Sequence, residues 1–285
     1  MQESAAARVS GGVPAGVGRT ALGVAMIRAM ESRRSDRLFR DPYAAAFIAA
    51  APAVFDRAER GAVACLSGLS SAGAAFWSHA VIRTRFFDDH LLDATGRGIR
   101  QVVLLAAGLD TRAYRLDWPA GVRLFELDLA DVLEYKRRVL GEQAAEPRCD
   151  YRPVPADLRE DWATPLTRAG LRSDQPTAWL LEGLLIYLSA DEVIHLLGTL
   201  GELSPAGSQM AFEFDEIDAD TLRRQACRLP AMADFAALWK GGLPDVPGWL
   251  AAHGWLLEIH DRADVTIGYG RARAGSQGGF VTATR

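Results

Sequence analysis

Apolar and polar positions follow two rhythms along the chain, and the rhythm changes near residue 100. Before that point apolar residues recur at helical spacing. Leu22, Ala25, Met26, Ala29 and Met30 share one face, and RLFRDPYAAAFIAA follows with Pro42 at a helix start. Phe76, Ala80, Phe86, Phe87, Leu91 and Leu92 then line one side of a helix expected over 72–95. From Gln101 short apolar runs alternate with helical stretches, which predicts right-handed βαβ units and a mostly parallel sheet. Strands are expected near 102–106, 122–127, 151–155, 178–182 and 208–214, with helices near 111–116, 130–140 and 190–203. Ser189 and Glu192 form a capping box for the last of these helices, in which Val193, Leu196, Leu197, Leu200 and Leu203 repeat at helical spacing. Helices near 218–240 and 247–253 and two late strands, at 255–260 and 278–285, complete the pattern. The organisation expected is a loose arm or lid over 1–17, a helical cap over 18–96, and an α/β core over 97–285 with a helical insertion near 216–253.

The chemistry starts where the first strand stops. In QVVLLAAGLDTRAYRL, residues 101–116, Val102 to Ala106 read as a strand buried on both faces. Gly108 permits positive φ or a close backbone approach to a ligand, and Asp110 and Thr111 can cap the helix that follows. The turn departs from the GxGxxG dinucleotide signature, so by itself it is weak evidence. Its partner is the acid-rich end of the second strand, RLFELDLADV, where Asp128 lies twenty residues beyond Gly108. An acid at about that distance takes ribose hydroxyls in nucleotide-binding α/β sheets. Glu126 is a rival for the role, and capping of the helix near Ala130 is the alternative for both acids.

Composition narrows the classes. A hydrophobic fraction of 49% over 285 residues supports a sizeable globular core. The formal net charge of -4, with lysine only at positions 136 and 240, argues against nucleic-acid binding. Three distant cysteines, Cys65, Cys149 and Cys227, lack metal or disulfide spacing and suit a reduced, cytoplasmic protein. No membrane-length apolar run and no export signal is expected. The histidines, and Asp88, Asp89 and His90 in sequence, have no metal-ligand spacing; a solvated helix face is expected for the last three, and no metal site.

Five stretches in order, LLAAGLDTRAYRL, FELDLADVLEYK, ADLREDW at 156–162, PTAWLLEGLLIYL at 176–188 and SPAGSQMAFE at 204–213, resemble the leucine carboxyl methyltransferase superfamily. The closer likeness is to its bacterial branch of S-adenosylmethionine-dependent methyltransferases, which includes natural-product enzymes. RAMESRRSDRLFRDPYAAAF and VIRTRFFDD match that branch as well, so the resemblance runs from about Thr20. It implies a class I methyltransferase sheet, Rossmann-like and mostly parallel with a late antiparallel strand pair, behind an N-terminal helical cap. The implied cofactor is S-adenosyl-L-methionine. Arg83 would pair with its methionyl carboxylate, and Ala106 and Gly108 would line the turn beneath it, alanine standing where the family usually has glycine. Asp128 would hold the ribose, Asp157 would accept from the adenine amine, the Leu158 amide would donate to an adenine ring nitrogen, and Glu182 would contact cofactor or acceptor. Glu182, Tyr187 and Asp215 are the candidates for a catalytic role, none of them assigned.

Transfer from a sulfonium needs alignment and exclusion of water more than covalent help. The expected function is O-methylation of a carboxylate or hydroxyl on a small molecule, such as a secondary metabolite. C-methylation of an indole is the alternative, with protein carboxyl methylation and a NAD-dependent or non-catalytic nucleotide-binding protein behind it. The expected partner is a small-molecule acceptor, not nucleic acid or membrane, and the assembly entertained is a homodimer.

Overall fold

The computed structural model describes residues 17–52, 71–214, 221, 223–224, 227, 236–272 and 278–285. Three helices precede the sheet: α1 (Val17–Glu31), α2 (Ala44–Ala49) and α3 (Ser71–Gly96). Asp41 starts α2 by accepting the Tyr43 and Ala44 N–H groups, each at 3.0 Å. Then follow β1 (Gln101–Leu105), α4 (Arg112–Arg115), β2 (Arg123–Asp128), α5 (Ala130–Glu142), β3 (Asp150–Pro155), α6 (Ala163–Arg168) and β4 (Thr177–Leu181). A 3-10 turn at Leu185–Tyr187 leads into α7 (Ala190–Glu202) and β5 (Gln209–Phe214), and the chain closes with α8 (Val246–Ala252), β6 (Leu256–Asp261), α9 (Arg262–Gly268) and β7 (Gly279–Thr284). The helix expected over 218–240 falls mostly outside the described residues.

The seven strands form one sheet in the order β3-β2-β1-β4-β5-β7-β6. β1 to β5 are parallel, and β7 runs antiparallel to both β5 and β6. All carboxyl ends of the parallel strands therefore meet at one edge.

Strand periodicity explains why β1 reads as an unbroken apolar run. Val102 and Leu104 point into one core, together with Leu124, Ala178, Leu180 and Phe280, and Leu22, Phe47, Ile82, Phe87 and Tyr135 cover them from α1, α2, α3 and α5. Val103 and Leu105 point into the other, with Phe125, Trp179, Leu181 and Phe212, beneath Leu166, Leu196, Leu197 and Leu250 of α6, α7 and α8. A strand covered on both faces is apolar along most of its length. The capping box of α7 forms, with Ser189 and Glu192 satisfying each other's backbone N–H. α6 and α9 do not stand out in the sequence because six and seven residues are too few to show a periodic face. Among the described residues no helix is long and apolar enough to cross a membrane.

Candidate cofactor and active site

The turn after β1 is a strained loop held from three sides. Ala106 and Gly108 both have positive φ, 51° and 53°. Glycine adopts this conformation freely, whereas alanine does so at a cost of about 1–2 kcal/mol. α1 closes over the turn, and a β-carbon on Gly108 would come within 3.2 Å of the Ala21 methyl. The Ala107 N–H donates to the Leu127 carbonyl at 3.0 Å, while Arg28 donates from Nη2 to the Leu109 carbonyl at 2.5 Å and from Nε to Asp41 at 2.9 Å. Asp110 accepts the Arg112 N–H at 2.6 Å and so starts α4. Thr111 makes no cap; its hydroxyl donates to Asp41 at 2.7 Å.

The two acids of β2 part company. Glu126 is fully buried and its Oε2 accepts from Lys136 Nζ at 2.5 Å and from the Tyr151 hydroxyl at 2.7 Å. Burial holds its carboxyl above the ordinary range despite Lys136. It is closed to a ligand. Asp128 stands at the strand tip, half-buried, accepting the Gly108 N–H through Oδ2 at 2.6 Å and the Leu129 N–H through Oδ1 at 2.7 Å. Its carboxylate thus ties the tip of β2 to the β1 turn, and each oxygen keeps a further lone pair.

β3 ends at Pro155, which with the following Ala156 and Asp157 and with Leu129 and Ala130 borders a cleft of about 350 Å³ beside Asp128. Asp157 accepts from the Arg159 side chain and backbone N–H, and that pairing holds its carboxyl below the usual range. The Leu158 side chain is buried in the second core, and its N–H has no hydrogen-bond partner among the described residues.

Arg83, on α3, does not pair with Asp88 or Asp89. It donates from Nε to Glu182 Oε1 at 3.0 Å and from Nη1 to Glu213 Oε1 at 3.2 Å. Glu182, directly after β4, pairs through Oε2 with Arg112 Nη1 at 2.8 Å, and Arg112 also pairs with Asp110 and with Asp88. Burial opposes ionisation of Glu182, but Arg112 and Arg83 outweigh it and hold the carboxyl below the ordinary range. Asp88, expected on a solvated face, is buried beneath this network, where it also accepts from Arg115 at 2.6 Å and 2.7 Å. Its neighbours diverge as a helix requires. Asp89 meets Arg85 and the Tyr269 hydroxyl, and among the described residues no group of three His, Cys, Asp or Glu could hold a metal ion.

Tyr187, half-buried on the 3-10 turn, lies within electrostatic range of Arg83. The segment after residue 239 braces that turn, with the Lys240 and Gly241 N–H groups donating to the Ile186 carbonyl. Asp215 lies outside the described residues. The pattern of the sequence passed over three residues of this site: Arg112, Glu213 and His79. His79 sits one helical turn before Arg83, its ring stacked on Phe280 at 6.3 Å, with a buried Nδ1 that has no hydrogen-bond partner among the described residues. Burial, reinforced by Arg262 and Arg83, pushes its pKa well below 6.5, so the ring is neutral at pH 7.

The strand order, the glycine turn and the acid at the tip of β2 define a Rossmann-like fold of the class I methyltransferase type. A family model described as leucine carboxyl methyltransferase matches residues 21–201, and the chain belongs to that family. A relative from Frankia alni, provisionally named an S-adenosyl-L-methionine-dependent methyltransferase, is 50% identical over 277 residues, or 96% of this chain and 96% of its own. One from Streptomyces coelicolor, named in the same way, is 43% identical over 95% of this chain and 96% of its own. Among solved structures, a DUF574 family protein from Streptomyces avermitilis shares the fold with a TM-score of 0.58 at 17% identity, over 92% of this chain and 96% of that one.

Proposed function

We propose that the chain is an S-adenosyl-L-methionine-dependent methyltransferase acting on oxygen, a carboxylate or hydroxyl, of a small-molecule acceptor. One observation carries the cofactor reading. The strand order β3-β2-β1-β4 lines up Leu158, Asp128, the Ala106–Gly108 turn and the Arg83–Glu182 pair along one sheet edge. That is the order in which adenine, ribose, the linking carbon and the methionyl group are bonded in the cofactor. Neighbouring strands lie about 4.8 Å apart, so the row spans about 14 Å, the scale of an extended nucleoside with an amino-acid tail. The names given to these relatives agree with this reading.

The donor set suits the ligand. Asp128 offers two carboxylate oxygens to a ribose diol, and the Leu158 N–H is available to an adenine nitrogen. Arg83 spends Nε and one Nη1 hydrogen on its acids, which leaves Nη2 for a carboxylate. The linked ion pairs set Asp88, Asp110, Glu182 and Glu213 against Arg83, Arg112 and Arg115. The acids outnumber the guanidiniums by one, and such a site favours a cationic ligand.

S-adenosyl-L-methionine, when bound, supplies a methyl group activated on a sulfonium. The chain's residues orient and enclose. α1 seals the turn above Gly108, and α3 lays Arg83 across the ends of β4 and β5. A carboxylate acceptor needs no base. For a hydroxyl, His79 Nδ1, one helical turn from Arg83 and buried with no hydrogen-bond partner among the described residues, is the candidate acceptor. Closure by α1 and by Arg28 supports a small acceptor over a protein chain end.

The test is methyl transfer from labelled cofactor to aromatic acids, phenols and indoles, with products located by NMR. Label on oxygen supports the proposal; label on an indole carbon would replace it with C-methylation. Titration with S-adenosylhomocysteine and NAD separates the classes, since binding of NAD alone would reject the methyltransferase reading.

A further inference from the structure

Glu213 is the penultimate residue of β5, at the carboxyl edge next to Glu182, with its side chain 15% exposed. Its Oε1 is committed twice, accepting the Gly183 N–H at 2.6 Å and Arg83 Nη1 at 3.2 Å. Its Oε2 is buried and has no hydrogen-bond partner among the described residues. The other acid on Arg83 is held at both oxygens: Glu182 gives Oε1 to Arg83 and Oε2 to Arg112. A buried carboxylate oxygen without a donor is costly, and burial together with the adjacent Glu182 holds the Glu213 carboxyl above its ordinary range. A cation delivered to Oε2 removes both penalties.

The proposed cofactor carries such a cation. Its methionyl carboxylate and α-ammonium sit on one carbon, so holding the carboxylate at Arg83 brings the ammonium among Arg83's own partners. Gly183 lies beside the same guanidinium. Its φ is +65°, and a β-carbon there would lie 3.5 Å from Arg83 Nη1 and 3.7 Å from Nη2, against the guanidinium. We propose that Glu213 Oε2 receives the α-ammonium of the cofactor while Arg83 takes the carboxylate, an inference that rests on the methyltransferase reading. Glu213 is thereby a binding residue at the methionyl end, and its uncommitted oxygen is completed by the ligand.

The test is a cycle of two ligands and two proteins, read by titration calorimetry. The ligands are S-adenosylhomocysteine and its deaminated analogue, in which hydrogen replaces the ammonium. The proteins are the full chain and Glu213→Gln. The unaltered protein is expected to prefer S-adenosylhomocysteine by about tenfold to a hundredfold, the range of one hydrogen bond between charged groups. In Glu213→Gln that preference should fall to about twofold or less, with the analogue's affinity unchanged.

If the variant kept the full preference, the ammonium would lie elsewhere and the proposal would fall. Equal binding of the two ligands by the unaltered protein would overturn it without any variant. Should Glu213→Gln fail to fold, Glu213→Asp keeps the charge and withdraws it by one methylene; an undiminished preference there would count against the proposal, a reduced one for it. Failure of the unaltered protein to bind S-adenosylhomocysteine at all would reject the cofactor reading, and this inference with it.

Discussion

Replacing Asp128 by asparagine probes the ribose contact with the least change of shape. In the structure the carboxylate accepts Gly108 N–H at 2.6 Å and Leu129 N–H at 2.7 Å, one on each oxygen. An amide keeps one acceptor oxygen and turns the other into a donor, so it can serve one of these backbone groups and must face the other N–H with its own. A ribose diol bound to the same carboxylate loses one hydrogen bond to a charged acceptor and has the other weakened, about 2–3 kcal/mol in all. That corresponds to a 30- to 150-fold weaker Kd for S-adenosylhomocysteine, with Asp128→Ala at the upper end or beyond. The fold should tolerate the change. Burial already holds the Asp128 carboxyl above its ordinary range, so the neutral amide relieves a desolvation cost, and Tm should stay within a few degrees. Calorimetric titration and thermal unfolding of the same preparation check both parts. Undiminished affinity in a folded Asp128→Asn protein would refute the ribose assignment, and loss of binding in Glu126→Gln instead would return the role to Glu126.

Three further outcomes test the surroundings of the site. Ala106→Gly removes a left-handed alanine and should raise stability by about 1 kcal/mol, or roughly 2 °C in Tm; a lower Tm would show that the turn is not strained there. Lys136→Met strands the buried Glu126 and should cost about 3–5 kcal/mol in denaturant unfolding, with recovery in Lys136→Met/Glu126→Gln; no recovery would mean that the pair is not the cause. For Asp41, burial opposes ionisation, but Arg28, Arg115 and Thr111 prevail and hold the carboxyl below its ordinary value. Its stabilising share is therefore present above the unfolded-chain pKa of about 3.9 and is lost as pH falls through the lower folded value. Asp41→Asn should lower Tm at pH 7 and flatten the acid limb of the Tm profile, and an unchanged limb would contradict the sign.

Much of the sheet is legible because double-sided burial writes continuous apolar runs, as in VVLL of β1, and because the turn residues that end them need positive φ. The choice between Glu126 and Asp128 is not settled by spacing, since both acids lie near the strand end. Yet Lys136 falls in the apolar stripe Val132, Leu133, Val139 and Leu140 of α5, and a lysine on a buried face demands a buried acid. That signal points to Glu126. Glu213 shares a face of β5 with Ala211, and because both faces of that strand are buried, a charge near its carboxyl end is the trace it leaves in the sequence. Arg112 leaves no trace. It lies on a four-residue helix, and its three acids arrive from α3, the β1 turn and the end of β4. The expected solvation of Asp88 fails for the same reason, because its partners are distant in sequence and only the packed fold brings them together.

The central claim is that the carboxyl edge of β3, β2, β1 and β4 holds an adenosyl methionine donor in that order. Diffraction from crystals grown with S-adenosylhomocysteine tests it most directly. The account predicts density with the ribose hydroxyls on Asp128, the adenine beside Leu158 and the carboxylate on Arg83; ligand density at another surface, or in the reverse orientation along this edge, would contradict it.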